Sequence, residues 1–241
     1  HDVESRGLGD VYKRQVYGED GAQMSPEATE IVVGFIEKIT DYLSVTGEEN
    51  SPLIVPVPKE VDDTYIEALK KLTLSKEAVA KCGKDLKLVY TPVHGSGYVP
   101  VTRILKELGI NVTVVKEQTT KDTEFSTVAV PNPEFKETLS MGIALANKID
   151  ADVVFGTDPD SARLGVAVKD DRGEFVALSG NQVGILLLDY ILTRLKEENA
   201  LPANAAVVKS FVTTGMAKAI CSDFGVALFE TPVGFKFIGE K

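Results

Sequence analysis

The run Val153-Val154-Phe155-Gly156-Thr157-Asp158-Pro159-Asp160-Ser161-Ala162-Arg163 carries an apolar strand straight into two carboxylates two residues apart, and then an arginine. In an open α/β sheet, a loop at the carboxyl end of a strand lies where ligands usually bind. Carboxylates at i and i+2 in a tight loop can both turn toward one hard cation such as Mg²⁺, which takes oxygen ligands in octahedral geometry. Arg163 then supplies a planar fork for phosphate oxygens beside that cation. A metal and an arginine next to a phosphoryl group are what phosphoryl transfer needs. The same residues also make an ordinary solvated turn, because Asp and Pro are common turn formers. Spacing alone leaves both readings open.

Three further places could do chemistry. His94 is the internal histidine, in Thr91-Pro92-Val93-His94-Gly95-Ser96-Gly97 between a strand and a helix. Its glycines permit close backbone approach to an anion at the helix start. Alternatively they make a tight turn that His94 caps or packs. Lys209 ends the apolar stretch Ala205–Val208 and could meet an anionic substrate, or flank a sheet as a solvated charge. Pro232-Val233-Gly234-Phe235-Lys236 reads as a turn with a backbone nest and a cation, or as a turn only.

The elements that must position these residues alternate. Ser25-Pro26-Glu27 is a helix start, with a capping serine and proline at the first helical position. Val32, Phe35, Ile36, Ile39 and Leu43 follow at helical spacing on one face, and residues 48–52 read as a linker. A second helix is predicted from about Asp62 to Leu72. Strands are expected at Lys87–Thr91, Val112–Val115 and Asp152–Gly156, with a hairpin pairing Leu164–Val168 and Glu174–Leu178. Helices are expected around Val101–Leu108, with Gly109 as a stop, and around Leu139–Ala146. The alternation restarts at Ser179–Gly180: helix Asn181–Leu195, strand Ala205–Lys209, helix Gly215–Phe224, strand Val226–Phe229. The fold class is α/β, mixed sheets flanked by helices, with a domain boundary expected at the restart.

Composition narrows the function. With 44% hydrophobic and 26% charged residues in 241, the chain is long and apolar enough for a substantial core. Lys and Arg number 26 against 36 Asp and Glu, a net charge of −10, which argues against nucleic acid as a partner. One local cluster of donors could still hold a small anion. The two cysteines, Cys82 and Cys221, form no CxxC pair and support neither a disulfide scaffold nor a zinc site. The longest apolar run, near Ile185–Leu188, is far too short to span a bilayer, and the start carries no signal-peptide pattern. No membrane partner is expected, and a cytoplasmic location is the default expectation.

Five stretches together resemble the α-D-phosphohexomutase superfamily, the phosphoglucomutases and phosphomannomutases. They are Val16-Tyr17-Gly18-Glu19-Asp20-Gly21-Ala22-Gln23, Thr91-Pro92-Val93-His94-Gly95, Val130-Pro131-Asn132-Pro133-Glu134, Thr157-Asp158-Pro159-Asp160 and Thr231-Pro232-Val233-Gly234-Phe235-Lys236. They occur in the family's order and spacing, over about residues 16–241, and the resemblance is greatest to the phosphoglucomutase-like branch. It implies consecutive phosphohexomutase-type α/β domains, truncated at both ends. On that pattern residues 16–48 are the tail of domain 1, 49–178 are domain 2 with the metal loop, and 179–241 open domain 3. Residues 1–15 match nothing in the family and read as non-native, adapter-like sequence.

The resemblance also implies an activity: interconversion of hexose 1-phosphate and hexose 6-phosphate, glucose first, through a phosphoserine and Mg²⁺. Glucose 1,6-bisphosphate is the implied intermediate and activator, and a sugar phosphate the implied substrate. The phosphoserine loop of such enzymes precedes the segment matching Val16–Gln23, so this chain as given is expected to be inactive. Asp158 and Asp160 match metal ligands. Arg163 and Lys209 match catalytic positions facing the substrate and the reacting phosphate. Val233, Gly234 and Phe235 match a sugar-selecting loop, and His94 is assigned to substrate binding. One departure stands out: the family's third metal aspartate falls at residue 162, which here is Ala162. It motivates the alternative of a non-catalytic phosphosugar-binding paralogue, beside that of a phosphomannomutase. A phosphatase using Asp158 as nucleophile fits less well, because Ser161-Ala162 follow Asp160.

Overall fold

The computed structural model describes residues 16–47, 52 and 54–241. Residues 1–15, read above as non-native, and most of the 48–52 linker lie outside the described residues. Helix α1 (Pro26–Ile36) begins as its sequence dictates: the Ser25 hydroxyl accepts from the Ala28 amide at 3.3 Å, and Pro26 fills the first position. It stops at Ile36, so Ile39 and Leu43 do not continue its face. Asp41 instead caps a short 3₁₀ turn at Tyr42–Ser44 by accepting from the Leu43 amide. Helix α2 spans Lys59–Lys71, and α3 (Lys76–Cys82) is a short helix that the apolar periodicity does not reveal.

The chain divides into two compact units, one holding Tyr65–Ala203 and the other the described residues before Tyr65 together with Asn204–Lys241. In the first, β1 (Lys87–Thr91), α4 (Tyr98–Glu107), β2 (Asn111–Val114), α5 (Ser140–Ile149), β3 (Val153–Thr157), β4 (Leu164–Lys169), β5 (Phe175–Leu178) and α6 (Gly180–Glu197) follow in order. The sheet order is β2-β1-β3-β4-β5, with β2, β1 and β3 parallel and β3, β4 and β5 antiparallel. This is the mixed sheet with flanking helices that the sequence leads one to expect.

Strand alternation sets the core. Val89, Val154 and Ala167 are register partners on one face, and they cluster with Leu139, Ala146 and Phe175, with Ile143 and Ile149 of α5 packed against them. Leu88 and Tyr90 point the other way and are also fully buried. Helix α6 opens with a capping box, in which the Gln182 amide donates to the Ser179 hydroxyl at 3.2 Å and the Ser179 amide to Gln182 Oε1 at 2.8 Å. In the second unit, β6 (Ala206–Ser210) and β7 (Ala227–Thr231) pair in parallel through α7 (Met216–Phe224), and α8 (Phe235–Glu240) follows β7. Gly225, at a φ of +69°, ends α7 in the left-handed conformation that favours glycine.

Candidate functional site

The chain leaves β1 to form β2 on one side, then returns to form β3 on the other side of β1. By the right-handed rule for parallel crossovers α4 and α5 belong on opposite faces, so the strand order reverses at the carboxyl ends of β1 and β3, the place where ligands bind in open α/β sheets. Both motif loops of this unit emerge there: Pro92–Gly97 after β1 and Asp158–Arg163 after β3.

The two loops are built against each other. The Ser96 amide donates to the Pro159 carbonyl at 2.9 Å, and the Ser96 hydroxyl donates to the same oxygen at 3.1 Å. A Cβ on Gly95 would stand 2.5 Å from Pro159 Cα and 2.9 Å from the Asp158 carbonyl oxygen, so this approach requires glycine. Gly97 leaves the same kind of space beside Ser161 Oγ, Tyr90 Oη and Thr157 Oγ1. Beneath the loop, the buried Tyr90 and Thr157 hydroxyls share a 2.8 Å hydrogen bond. Burial pushes the Tyr90 phenol up to about 12 against the opposing effect of that bond, so it stays protonated.

Asp158 is buried, and its Oδ1 accepts from the Arg163 amide at 2.7 Å. Asp160 is half-buried and accepts from the Ala162 amide at 3.4 Å. Ser161, at a φ of +58°, turns the backbone between Asp160 and Ala162. The exposed Arg163 guanidinium lies between two carboxylates, 4.0 Å from Asp158 Oδ2 and 3.7 Å from Glu134 Oε1. Glu134 belongs to the Pro131–Glu134 motif, which packs so tightly that a Cβ on Gly165 would meet the Pro133 carbonyl oxygen at 2.0 Å.

Among the described residues no group of three or more His, Cys, Asp or Glu side chains could hold a metal ion. Two carboxylates in one loop do fit an ion whose remaining oxygens come from water and phosphate, the usual way Mg²⁺ is held. They do not make a closed protein cage, and Ala162 occupies the position a third carboxylate would need.

His94 sits in the same turn but engages other groups. Its Nδ1 is 2.8 Å from the Thr120 carbonyl and its Nε2 2.6 Å from Thr127 Oγ1, with Phe125 packed edge-on. Both ring nitrogens are thus used inside the unit, which corresponds to the capping and packing alternative rather than to a free ligand-binding imidazole.

Lys209, Val233, Gly234 and Phe235 lie in the other unit, at the shared carboxyl ends of β6 and β7. Lys209 is not a solvated flank. It is buried, with Nζ 2.6 Å from Glu230 Oε1 and donating to the carbonyls of Thr213 at 3.0 Å and Ser210 at 3.4 Å. Lys209 holds the Glu230 carboxyl below the usual carboxylate range. Val233 and Phe235 are exposed, and Gly234 has a φ of +133°, a conformation open only to glycine. Sequence reasoning assigns no role to Gln118, Thr127 or Glu134, and only the Pro-Asn-Pro-Glu motif offers a signal for one of them.

Residues 63–173 match the family model described as phosphoglucomutase/phosphomannomutase, alpha/beta/alpha domain II, and residues 179–241 match the corresponding domain III. A phosphoglucomutase of Staphylococcus epidermidis is 39% identical over 235 residues, covering 94% of this chain and 41% of that protein. A phosphoglucomutase of Staphylococcus aureus is 34% identical over 231 residues, covering 94% and 40%. The chain therefore spans about two fifths of the length of these relatives. Among solved structures, a putative phosphomannomutase from Thermus thermophilus aligns with a TM-score of 0.63 at 22% identity, over 91% of this chain and 45% of that one. An Aspergillus fumigatus N-acetylphosphoglucosamine mutase, solved with GlcNAc-6P and magnesium, aligns with a TM-score of 0.51 at 16% identity, over 74% and 34%. At these identities the two structures speak to the fold.

Proposed function

Because the chain belongs to the phosphoglucomutase/phosphomannomutase family, we propose that it is the metal-loop segment of an enzyme interconverting glucose 1-phosphate and glucose 6-phosphate. The observation that carries this is the loop after β3, where Asp158 and Asp160 lie two residues apart, Arg163 stands 4.0 Å from Asp158, and the loop after β1 is bonded to Pro159. On this reading Asp158 and Asp160 hold Mg²⁺, which when bound supplies positive charge to a transferring phosphoryl group. Arg163 orients phosphate oxygens with its fork, restrained by Asp158 and Glu134. Lys209 adds positive charge at the opening of the next domain, where Val233, Gly234 and Phe235 take part in choosing the sugar. A phosphoserine and glucose 1,6-bisphosphate belong to the same proposal, as do a cytoplasmic location and a division into domains at 49–178 and 179–241.

Glucose phosphate is preferred over mannose phosphate because the relatives at 34–39% identity are named phosphoglucomutases. The test is turnover by a protein of the relatives' length carrying residues 16–241, given glucose 1-phosphate or mannose 1-phosphate. Faster conversion of the glucose ester is expected. Equal or greater use of the mannose ester would point to the alternative sugar, and no turnover of either, with or without Asp at 162, would favour a non-catalytic phosphosugar-binding role.

A further inference from the structure

A polar relay, buried at Thr91 and Gln118 and half-buried at Thr127, holds the turn after β1. Thr91 Oγ1 donates to Gln118 Oε1, and Gln118 Nε2 donates to Thr127 Oγ1 at 3.0 Å. Because Thr127 Oγ1 already accepts the Gln118 amide hydrogen, its own hydrogen is available to His94 Nε2 at 2.6 Å. A carbonyl only accepts, so His94 Nδ1 carries the ring hydrogen and donates it to Thr120 at 2.8 Å. The relay thus selects one tautomer of the neutral ring. The His94 amide adds a further bond, donating to the Gln118 carbonyl at 2.9 Å.

This anchoring answers a conformational cost. Val93 and His94 are consecutive non-glycine residues at φ of +45° and +60°, a region that side chains on Cβ disfavour. Such strain persists only where the surroundings over-determine it. Here Val93 is fully buried and His94 is held at three points. The two left-handed residues aim the next two: Gly95 against Pro159, and Ser96 onto the Pro159 carbonyl between Asp158 and Asp160.

We propose that His94 is a positioning residue for the Asp158–Asp160 carboxylates, acting through the turn that brings Ser96 to Pro159. Its importance for a bound cation rests on the reading that those carboxylates hold one. His94 touches no substrate in this scheme. It fixes where the two aspartates stand before any ligand arrives.

Three measurements on the 241-residue chain test this. Long-range ¹H–¹⁵N spectra in mildly alkaline buffer should show the Nδ1–H tautomer for His94, and the Nε2–H tautomer would overturn the proposal. In His94→Phe, which keeps ring volume but loses both bonds, exchange of the Ser96 and Arg163 amides should quicken about 10-fold or more while core strand amides are unchanged. In His94→Asn, which keeps a donor near Nδ1 and tolerates the left-handed backbone, most of that protection should return. Unchanged loop protection in both variants would overturn the proposal, and the tautomer and the Asn variant remain decisive if the Phe variant does not fold. Mn²⁺ binding, followed by electron paramagnetic resonance, should weaken about 10-fold in His94→Phe. If the wild-type chain binds no Mn²⁺ while the loop effect is present, the metal reading falls and the positioning role stands.

Discussion

Lys209 and Glu230 are register partners on the parallel strands β6 and β7, and Lys209 Nζ lies 2.6 Å from Glu230 Oε1. The lysine is buried while the carboxylate remains mostly exposed, so the pair shields an ammonium whose other acceptors are two backbone carbonyls. The exposed half of such a pair contributes modestly, but its loss leaves a buried charge short of one acceptor.

The pair gives stability a direction in pH. The Glu230 carboxyl titrates below its ordinary range when folded, because Lys209 donates to it. The folded state therefore binds fewer protons there than the unfolded state. The contribution is complete above the unfolded carboxylate pKa and is lost as pH falls through the lowered folded value. Urea midpoints measured down the acid range should fall less steeply in Glu230→Gln than in the wild type. Parallel curves would contradict the linkage.

Gly95→Ala should destabilise by about 1–3 kcal/mol, because the new Cβ meets the Pro159 backbone at 2.5 Å and a backbone cannot swing aside. Gly184→Ala is the natural control. Gly184 lies inside α6 with nothing within 4 Å of a built Cβ, so alanine there should stabilise by about 0.5–1 kcal/mol. Urea denaturation of the two variants checks both signs.

Ala162→Asp restores a carboxylate two residues beyond Asp160. Divalent affinity should rise at least about 10-fold, since even changes outside the ligand set cost that much. Calorimetric titration with Mn²⁺ distinguishes this from no change, which would place the ion elsewhere or nowhere on this loop.

Arg163→Lys should leave stability within about 0.5 kcal/mol, because the side chain is exposed and its ion pairs are long. Loss of the planar fork should nonetheless lower turnover of a full-length enzyme by roughly 10²-fold. A large loss of stability without loss of turnover would reverse the assignment.

Much of this is legible in the residues. The Lys87–Thr91 strand matches its predicted bounds, and the Ser25 cap and the hairpin after Arg163 follow from local chemistry that needs no distant partner. Helix α1 ends earlier than its apolar spacing implies: Ile39 and Leu43 continue the apolar period past the real end at Ile36, while Asp41 caps a separate turn at Tyr42–Ser44. Helix α3 is hidden because its seven residues, Lys-Glu-Ala-Val-Ala-Lys-Cys, carry too little apolar periodicity. The site is readable only in part. Asp158, Asp160 and Arg163 stand out because they are close in sequence. The Thr91–Gln118–Thr127–His94 relay does not, since its members are scattered along the chain and a lone buried amide leaves no pattern. The burial of Lys209 is not legible in the sequence, since its partner Glu230 comes from another strand and only the β6–β7 register brings the two together.

The most direct measurement follows label from ³²P-glucose 1,6-bisphosphate, in the presence of Mg²⁺, onto a protein of the relatives' length carrying residues 16–241. Label appearing on the protein and then, once unlabelled glucose 1-phosphate is added as acceptor, in the bisphosphate formed from it and in the glucose 6-phosphate released when the protein takes back the other phosphoryl group, faster with Asp than with Ala at 162, is the expected result. A folded protein that exchanges no label with either residue at 162 would contradict the phosphohexomutase reading.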